Sequence, residues 1–153
     1  MKYHPLAFAA LLACASVQAK EPTRADIPLD AATLAALPRQ AVEGSAHGQA
    51  LRCEGVELVA LLRSSGAMPA DPLRGTEQLI RYVRIEARDG YRAIYSLAEL
   101  DPSLGNAKVF VVDRCDGKPL DEKSGPLRLI APAESRPARW VRQVQSIRVV
   151  DAP

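Results

Sequence analysis

Aromatic side chains are scarce in this chain: two Phe, four Tyr and one Trp make up 5% of its residues. That leaves no surface of ring faces on which successive bases could stack. An excess of charge is missing as well. Lys and Arg number 20 against 18 Asp and Glu, a formal net charge of +2, which makes no general electrostatic case for a nucleic-acid partner. Histidine occurs only twice. No His cluster with metal-ligand spacing, no hydrolase nucleophile motif and no phosphate-cradling glycine loop is found. Beyond the N-terminus no apolar run approaches the roughly 20 residues that a membrane-spanning helix needs. There is no internal repeat and no low-complexity tract. The remaining composition, 48% hydrophobic and 25% charged, is ordinary for a globular protein, and 153 residues suit one domain with one core.

The N-terminus reads as a targeting segment. Lys2 supplies the positive start, Leu6 to Ala13 the short apolar run, and Val17-Gln18-Ala19 the small-residue end of a signal-peptidase site. The expectation is a signal peptide over residues 1–19, cleavage after Ala19, and a soluble exported (periplasmic) protein. A rival reading takes Leu11-Leu12-Ala13-Cys14 as similar to a bacterial lipobox, with Cys14 lipidated and the protein anchored to a membrane through it. In either case Cys53 and Cys115 remain in the folded part. An even count in an oxidising compartment permits a disulfide, and two separate buried thiols are the other reading. Two isolated cysteines without neighbouring His or Cys make a poor metal site.

Residues 20–26 are charged, contain Pro22 and read as a flexible leader; residues 27–153 read as a single domain. Asp30 is placed to cap a helix over Ala31 to Leu37, ended by Pro38. Gln40 to Arg52, with Gly44 and Gly48, reads as strand pieces joined by a turn. Over Gly55 to Ser65, Leu58, Leu61, Leu62 and Ser65 share one helical face, and Gly66 stops the helix. Met68 to Gly75 is a loop. Glu77 to Ala87 alternates, with Leu79, Val83 and Ile85 on one face and Arg84 and Glu86 on the other, as in a half-buried strand. Asp89-Gly90 turns the chain, Tyr91 to Tyr95 returns as the hairpin partner, and Ser96 caps a helical turn through Leu100. Val109 to Val112 is a continuous apolar run and reads as a central strand. Asp116-Gly117 turns the chain again, Leu127 to Ala131 forms the next strand, Arg136 to Gln143 includes a short helix, and Ile147 to Val150 closes the sheet. The expected class is α+β, a mixed sheet with short helices.

Arg128 lies on a strand that is otherwise apolar, and a buried charge is costly unless it is paired or holds a ligand. Arg128, Arg136, Arg139 and Arg142 are close in sequence, and Arg139 and Arg142 share a face if their segment is helical. Guanidinium groups grip oxyanions through forked hydrogen bonds. The other reading is a solvated face with ion pairs to Asp121, Glu122 and Glu134. His47 beside Gly48 reads as a surface-loop residue and Asp89 as a turn residue. Tyr91 and Tyr95 share strand parity, which fits an amphipathic edge of the core.

Four blocks resemble the molybdopterin-binding domain of the sulfite oxidase family. They are Cys53-Glu54-Gly55-Val56-Glu57-Leu58 with Leu61-Leu62; Asp89-Gly90-Tyr91-Arg92 running to Ser96-Leu97; Val109 to Val112 with Asp116-Gly117-Lys118-Pro119-Leu120; and Gly125-Pro126-Leu127-Arg128-Leu129 through Pro132, with Ala138-Arg139 and Ile147 to Val149. In this resemblance Tyr91 stands at the active-site tyrosine, Arg128 and Arg142 stand near positions that help hold the cofactor, and Gln143 replaces a usual Trp. The family ligates molybdenum through a cysteine upstream of the Gly-Val block. Here that region reads Ala41-Val42-Glu43-Gly44-Ser45-Ala46 and has no cysteine. The resemblance therefore implies a reduced sulfite-oxidase-like fold serving as an exported binding or accessory module without catalytic molybdenum or another cofactor. Its expected ligand is a small anion, a pterin-like molecule or a partner exported protein at Tyr91, Arg128, Arg139 and Arg142. The alternative is a molybdopterin-dependent oxidoreductase acting on a small oxyanion or sulfoxide-type substrate. In that reading Tyr91 orients the substrate, the arginines neutralise it, and either Cys53 serves as an unusual metal ligand or a partner completes the site.

Overall fold

The computed structural model describes residues 24–152. The expected signal peptide, Cys14 and residues 20–23 of the expected leader lie outside the described residues. Nine strands and four short α-helices follow in chain order: β1 Arg24–Asp26, α1 Ala31–Ala35, β2 Arg39–Ala46, β3 Gln49–Glu57, α2 Leu58–Ser64, α3 Thr76–Leu79, β4 Arg81–Ala87, β5 Arg92–Ser96, α4 Leu97–Leu100, β6 Phe110–Cys115, β7 Lys118–Pro119, β8 Arg128–Ile130 and β9 Val144–Asp151, with a 3-10 turn at Pro137–Arg139 before the last strand. The α+β class with short helices is as the sequence indicates. The strands are divided between two sheets, ordered β1-β9-β4-β5 and β2-β3-β6-β7, with β8 also paired to β6. Each strand pair among the described residues is antiparallel. No helix among the described residues is long and apolar enough to cross a membrane.

Local chemistry accounts for most of the element ends. The Asp30 carboxylate accepts from the Thr33 backbone N–H at 2.9 Å and starts α1. Ser96 and Glu99 form a reciprocal capping box that starts α4. His47-Gly48 and Asp116-Gly117 both have positive φ at both residues, as the type I′ form of a two-residue hairpin requires, and they join β2 to β3 and β6 to β7. Asp89 accepts from Tyr91 N–H at 2.9 Å and so closes the turn between β4 and β5. Gly66, at φ 74°, ends α2 where the N–H groups of Ala67 and Met68 both return to the Leu62 carbonyl.

Three sequence expectations differ from the structure. Gly55 to Glu57 is strand, not the first turn of a helix. Gly55 lies so close to β6 that an added Cβ would meet the Val111 carbonyl oxygen at 2.1 Å, so this glycine is held by sheet contact. Leu79 is not on the buried face of β4. It sits in α3 and is 41% exposed, because Leu79 and Ile80 N–H bond back to Gly75 and Thr76 and the strand begins only at Arg81. The last three leader residues are strand β1, in register with Arg148 to Val150 of β9, and Ile27 N–H continues the ladder to the Ile147 carbonyl.

One continuous core draws on both sheets, with Val42, Val56 and Val111 from one and Val83, Ile85 and Ile147 from the other. α2 buries Leu58, Val59, Leu61 and Leu62, so it is apolar nearly all round and serves as a core element. Cys53 and Cys115 face each other across β3 and β6 and form a disulfide, with Cα atoms 3.9 Å apart. The Asp116 N–H donates to the Arg52 carbonyl beside them, so they form a non-hydrogen-bonded pair, the antiparallel position where side chains approach most closely.

Candidate functional site

The 118–144 region wraps one corner of the β6 sheet. A cis Gly125-Pro126 bond leads into Leu127 and β8. On one side β8 pairs with β6; on the other, Leu129 N–H donates to the Val141 carbonyl and Val144 N–H to the Leu127 carbonyl. Arg128 is therefore carried on an interior strand between Leu127 and Leu129, both buried. Its guanidinium carbon lies 5.6 Å from the centroid of the Trp140 ring, a cation–π arrangement. Trp140 is itself fixed: its Nε1–H donates to the Ala131 carbonyl at 3.0 Å, and its ring edge fills the space where Gly44 lacks a side chain. The Arg128 Nε is buried and has no hydrogen-bond partner. Burial first, and then the nearby Arg142 charge, push the Arg128 pKa below its usual value, with Asp121 opposing.

Tyr91 and Arg142 share one cleft. It is about 410 Å³ and is also lined by Asp89, Lys123, Trp140 and Gln143. Tyr91 is 48% exposed, and its hydroxyl donates to the Ala138 carbonyl. That bond uses the single phenolic proton, so an anion entering the cleft gains a donor from Tyr91 only by displacing Ala138. Arg128 opens on an adjoining cleft of about 370 Å³ with Cys115, Lys118 and Asp121. A third cleft, of about 530 Å³, shares Lys123 and Gln143 with the first and Leu120 and Asp121 with the second. The three clefts thus run around the 120–126 loop.

Arg139 does not join this set. Its guanidinium is 2.8 Å from Glu99, 2.6 Å from Glu134 and 3.0 Å from the Ile94 carbonyl, and it lies 4.1 Å from the Tyr95 ring centroid. Burial works against its charge, and the Glu99 hydrogen bond with neighbouring Tyr95 and Glu134 outweighs it, so the pKa is raised. Tyr95 is fully buried; burial first and then the Glu134 carboxylate hold its phenol well above the usual value. The expected shared face of Arg139 and Arg142 is absent because the helical turn ends at Arg139 and Trp140 is extended, at ψ 110°. Glu134 is the ion-pair partner the sequence offered, and it serves Arg139. Arg136 is exposed and lines a separate groove with His47, which sits on the surface turn of the β2–β3 hairpin. Cys53 is 1% exposed and bonded, facing Cys115 rather than the Tyr91 cleft.

Lys123 is not among the residues the sequence points to, and Gln143 stands there only as the replacement of a usual Trp. Gln143, at φ 49°, bonds through its backbone N–H to the Ser124 carbonyl and through Nε2 to the Glu122 carbonyl, and so ties the 120–126 loop to the end of the basic run. The signal for it lay in the resemblance, which marks Gln143 as a replaced Trp. No protein-family model matches the chain, and no curated protein matches it.

Proposed function

We propose that the chain is a small exported binding or accessory module, with a reduced sulfite-oxidase-like fold and no catalytic molybdenum, that takes a small anion at the face carrying Tyr91, Arg128 and Arg142. The observation that carries this reading is the Arg128 environment. Seven other arginines, at 39, 52, 81, 84, 92, 139 and 148, each have a carboxylate partner. Arg128 has none. Among the described residues Arg74, Arg88, Arg114, Arg136 and Arg142 also lack one but are exposed, and Arg63 donates to the Pro69 carbonyl; Arg128 is the one whose Nε is buried and unpartnered, with the Arg142 charge near it. Asp121 acts on Arg128 only from a distance, and an oxyanion supplies what this arrangement lacks: a counter-charge in contact with the guanidinium groups and an acceptor for the orphan N–H. Lys118 and Lys123 add positive charge at the mouths of the adjoining clefts.

Cys53 bears on the metal. It is the cysteine of this chain that the molybdopterin-dependent alternative offers as ligand, and a sulfur already bonded to Cys115 offers no thiolate. The residues present do not fit the metal centre, and no redox step is assigned to them.

Calorimetric titration of the protein with sulfate or phosphate at low ionic strength tests the reading. Arg128→Met and Arg142→Met are expected to lose the anion, and Arg139→Met to retain it. At 100 times its dissociation constant a bound anion adds about 2.7 kcal/mol to stability. No heat and no anion-specific stabilisation beyond that of chloride would refute the site. Stoichiometric molybdenum in protein purified from its native host would refute the metal-free reading. N-terminal sequencing decides the address: Lys20 as the first residue supports signal cleavage, and a blocked Cys14 supports the lipid anchor.

A further inference from the structure

The sheet edges of this protein are guarded unequally. β1 is three residues long and β7 two. On β5 the Ile94 carbonyl is taken by the Arg139 guanidinium at 3.0 Å. β2 is different. It runs for eight residues, pairs with β3 in unbroken register from Arg39↔Val56 to Ala46↔Gln49, and among the described residues has no strand on its other side. The two-residue turn at His47-Gly48 sets the phase: Ala46, Gly44, Val42 and Gln40 direct their N–H and C=O groups to β3. Ser45, Glu43, Ala41 and Arg39 therefore direct theirs outward. Among the described residues none of those outward groups makes a hydrogen bond, and all four residues are exposed. The usual edge guards are absent. β2 contains no proline and no bulge, and its two charges are drawn back onto their own sheet, Arg39 to Asp113 at 2.6 Å and Glu43 to Arg52 at 3.2 Å.

We infer that the free edge of β2 is a homophilic interface, in which two copies of this chain pair antiparallel through β2 about a two-fold axis at Ala41. A two-fold axis demands a self-complementary strand, and β2 is one in this register. Bonding between outward groups requires odd-numbered residues to face one another. With Ala41 opposite Ala41 of the second copy, Arg39 faces Glu43 of the other copy, so that each adds a cross-copy contact to the partner it keeps on its own sheet, Asp113 or Arg52, and symmetry repeats the pair. Opposite charges placed directly across antiparallel strands are favourable, and like charges are not. Moving the axis to Glu43 sets two carboxylates face to face. Pairing Ala41 with Glu43 leaves Arg39 opposite Ser45. Charge thus selects the Ala41 register, and the small side chain on the axis leaves the approach open. The resulting assembly is a continuous antiparallel sheet through both copies.

The test is sedimentation velocity over about 5 to 500 µM, the range in which a modest interface shows its dissociation constant. The wild-type protein is expected to pass from monomer to dimer. Ala41→Pro removes the N–H that faces the axis, at an edge position where the monomer fold tolerates proline. It is expected to weaken the dimer about 30-fold or more, with unchanged far-UV circular dichroism and melting temperature. Arg39→Glu and Glu43→Arg test the register without relying on Ala41→Pro. Each alone sets like charges opposite and stays monomeric. An equimolar mixture of the two restores both opposite-charge pairs and dimerises. A wild-type protein that stays monomeric across the range overturns the inference, including when β2 instead takes an extended segment of another protein. A dimer indifferent to Ala41→Pro, or a mixture that does not recover dimerisation, overturns it equally.

Discussion

Replacing Arg128 by Met should make the empty protein more stable while removing its anion site. The guanidinium is carried on an interior strand, its Nε has no partner, and Arg142 repels it. An unsatisfied buried donor costs about 1–3 kcal/mol. Met keeps an unbranched apolar stem along the strand and removes the donor and the charge. The change also removes the cation–π contact with Trp140, about 1 kcal/mol at a partly desolvated site. The net expectation is a gain of about 1 kcal/mol, or about 3 °C in melting temperature for a domain of this size. Urea denaturation in a low-salt buffer without multivalent anions measures it. Adding sulfate should then reverse the order, because only the wild type gains binding energy. A variant that is less stable than the wild type by 1 kcal/mol or more in sulfate-free buffer, by the same scale of estimate, would show that Arg128 is a structural cation and would remove the main support for the anion site.

Two further outcomes follow from the fold. Reducing Cys53–Cys115, which closes a loop with a sequence separation of 62, should lower stability by about 4 kcal/mol, read as a fall in the urea midpoint between oxidised and reduced protein; an unchanged midpoint contradicts it. Asp101 is the one fully buried charged residue among those described, and its carboxylate accepts from the Ser103 hydroxyl and N–H and from Leu73 N–H. The Ser103 hydroxyl bond first, with the backbone donors and the Arg63 charge, holds its pKa below the usual value against burial. Its stabilisation is therefore fully present above the unfolded value, near pH 4, and is lost as pH falls through the lowered folded value. Asp101→Asn should cost about 2 kcal/mol at neutral pH, through a donor turned toward a donor, and should flatten the acid limb of a plot of urea midpoint against pH.

The parts of the fold legible in sequence are those whose cause is local. Asp30, Ser96, Asp89-Gly90, Asp116-Gly117 and Gly66 each act on backbone groups within a few residues, and each appears where its chemistry places it. The apolar run at 109–112 reads as a central strand because a strand buried on both faces has no polar alternation, and β6 is that strand. Gly55 misled because a glycine before Leu58, Leu61 and Leu62 looks like a helix boundary, whereas the contact that requires it comes from Val111, 56 residues further along the chain.

The candidate site divides in the same way. Sequence by itself determined the class of the fold, most of its turns and caps, and the presence of an arginine inside an apolar strand, because these depend on periodicity and on neighbours a few residues away. Tertiary structure alone decided which basic residues act together. Arg139, three residues from Arg142, is claimed by Glu99 and Glu134, while Arg142 turns toward Tyr91 and Arg128 is left without a carboxylate. It also decided that Cys53 faces Cys115, through the register of β3 on β6, and that among the described residues no strand covers the outer edge of β2. Ion pairs, disulfides and strand edges are settled by groups far apart in the chain, whose distances exist only once the sheets have formed.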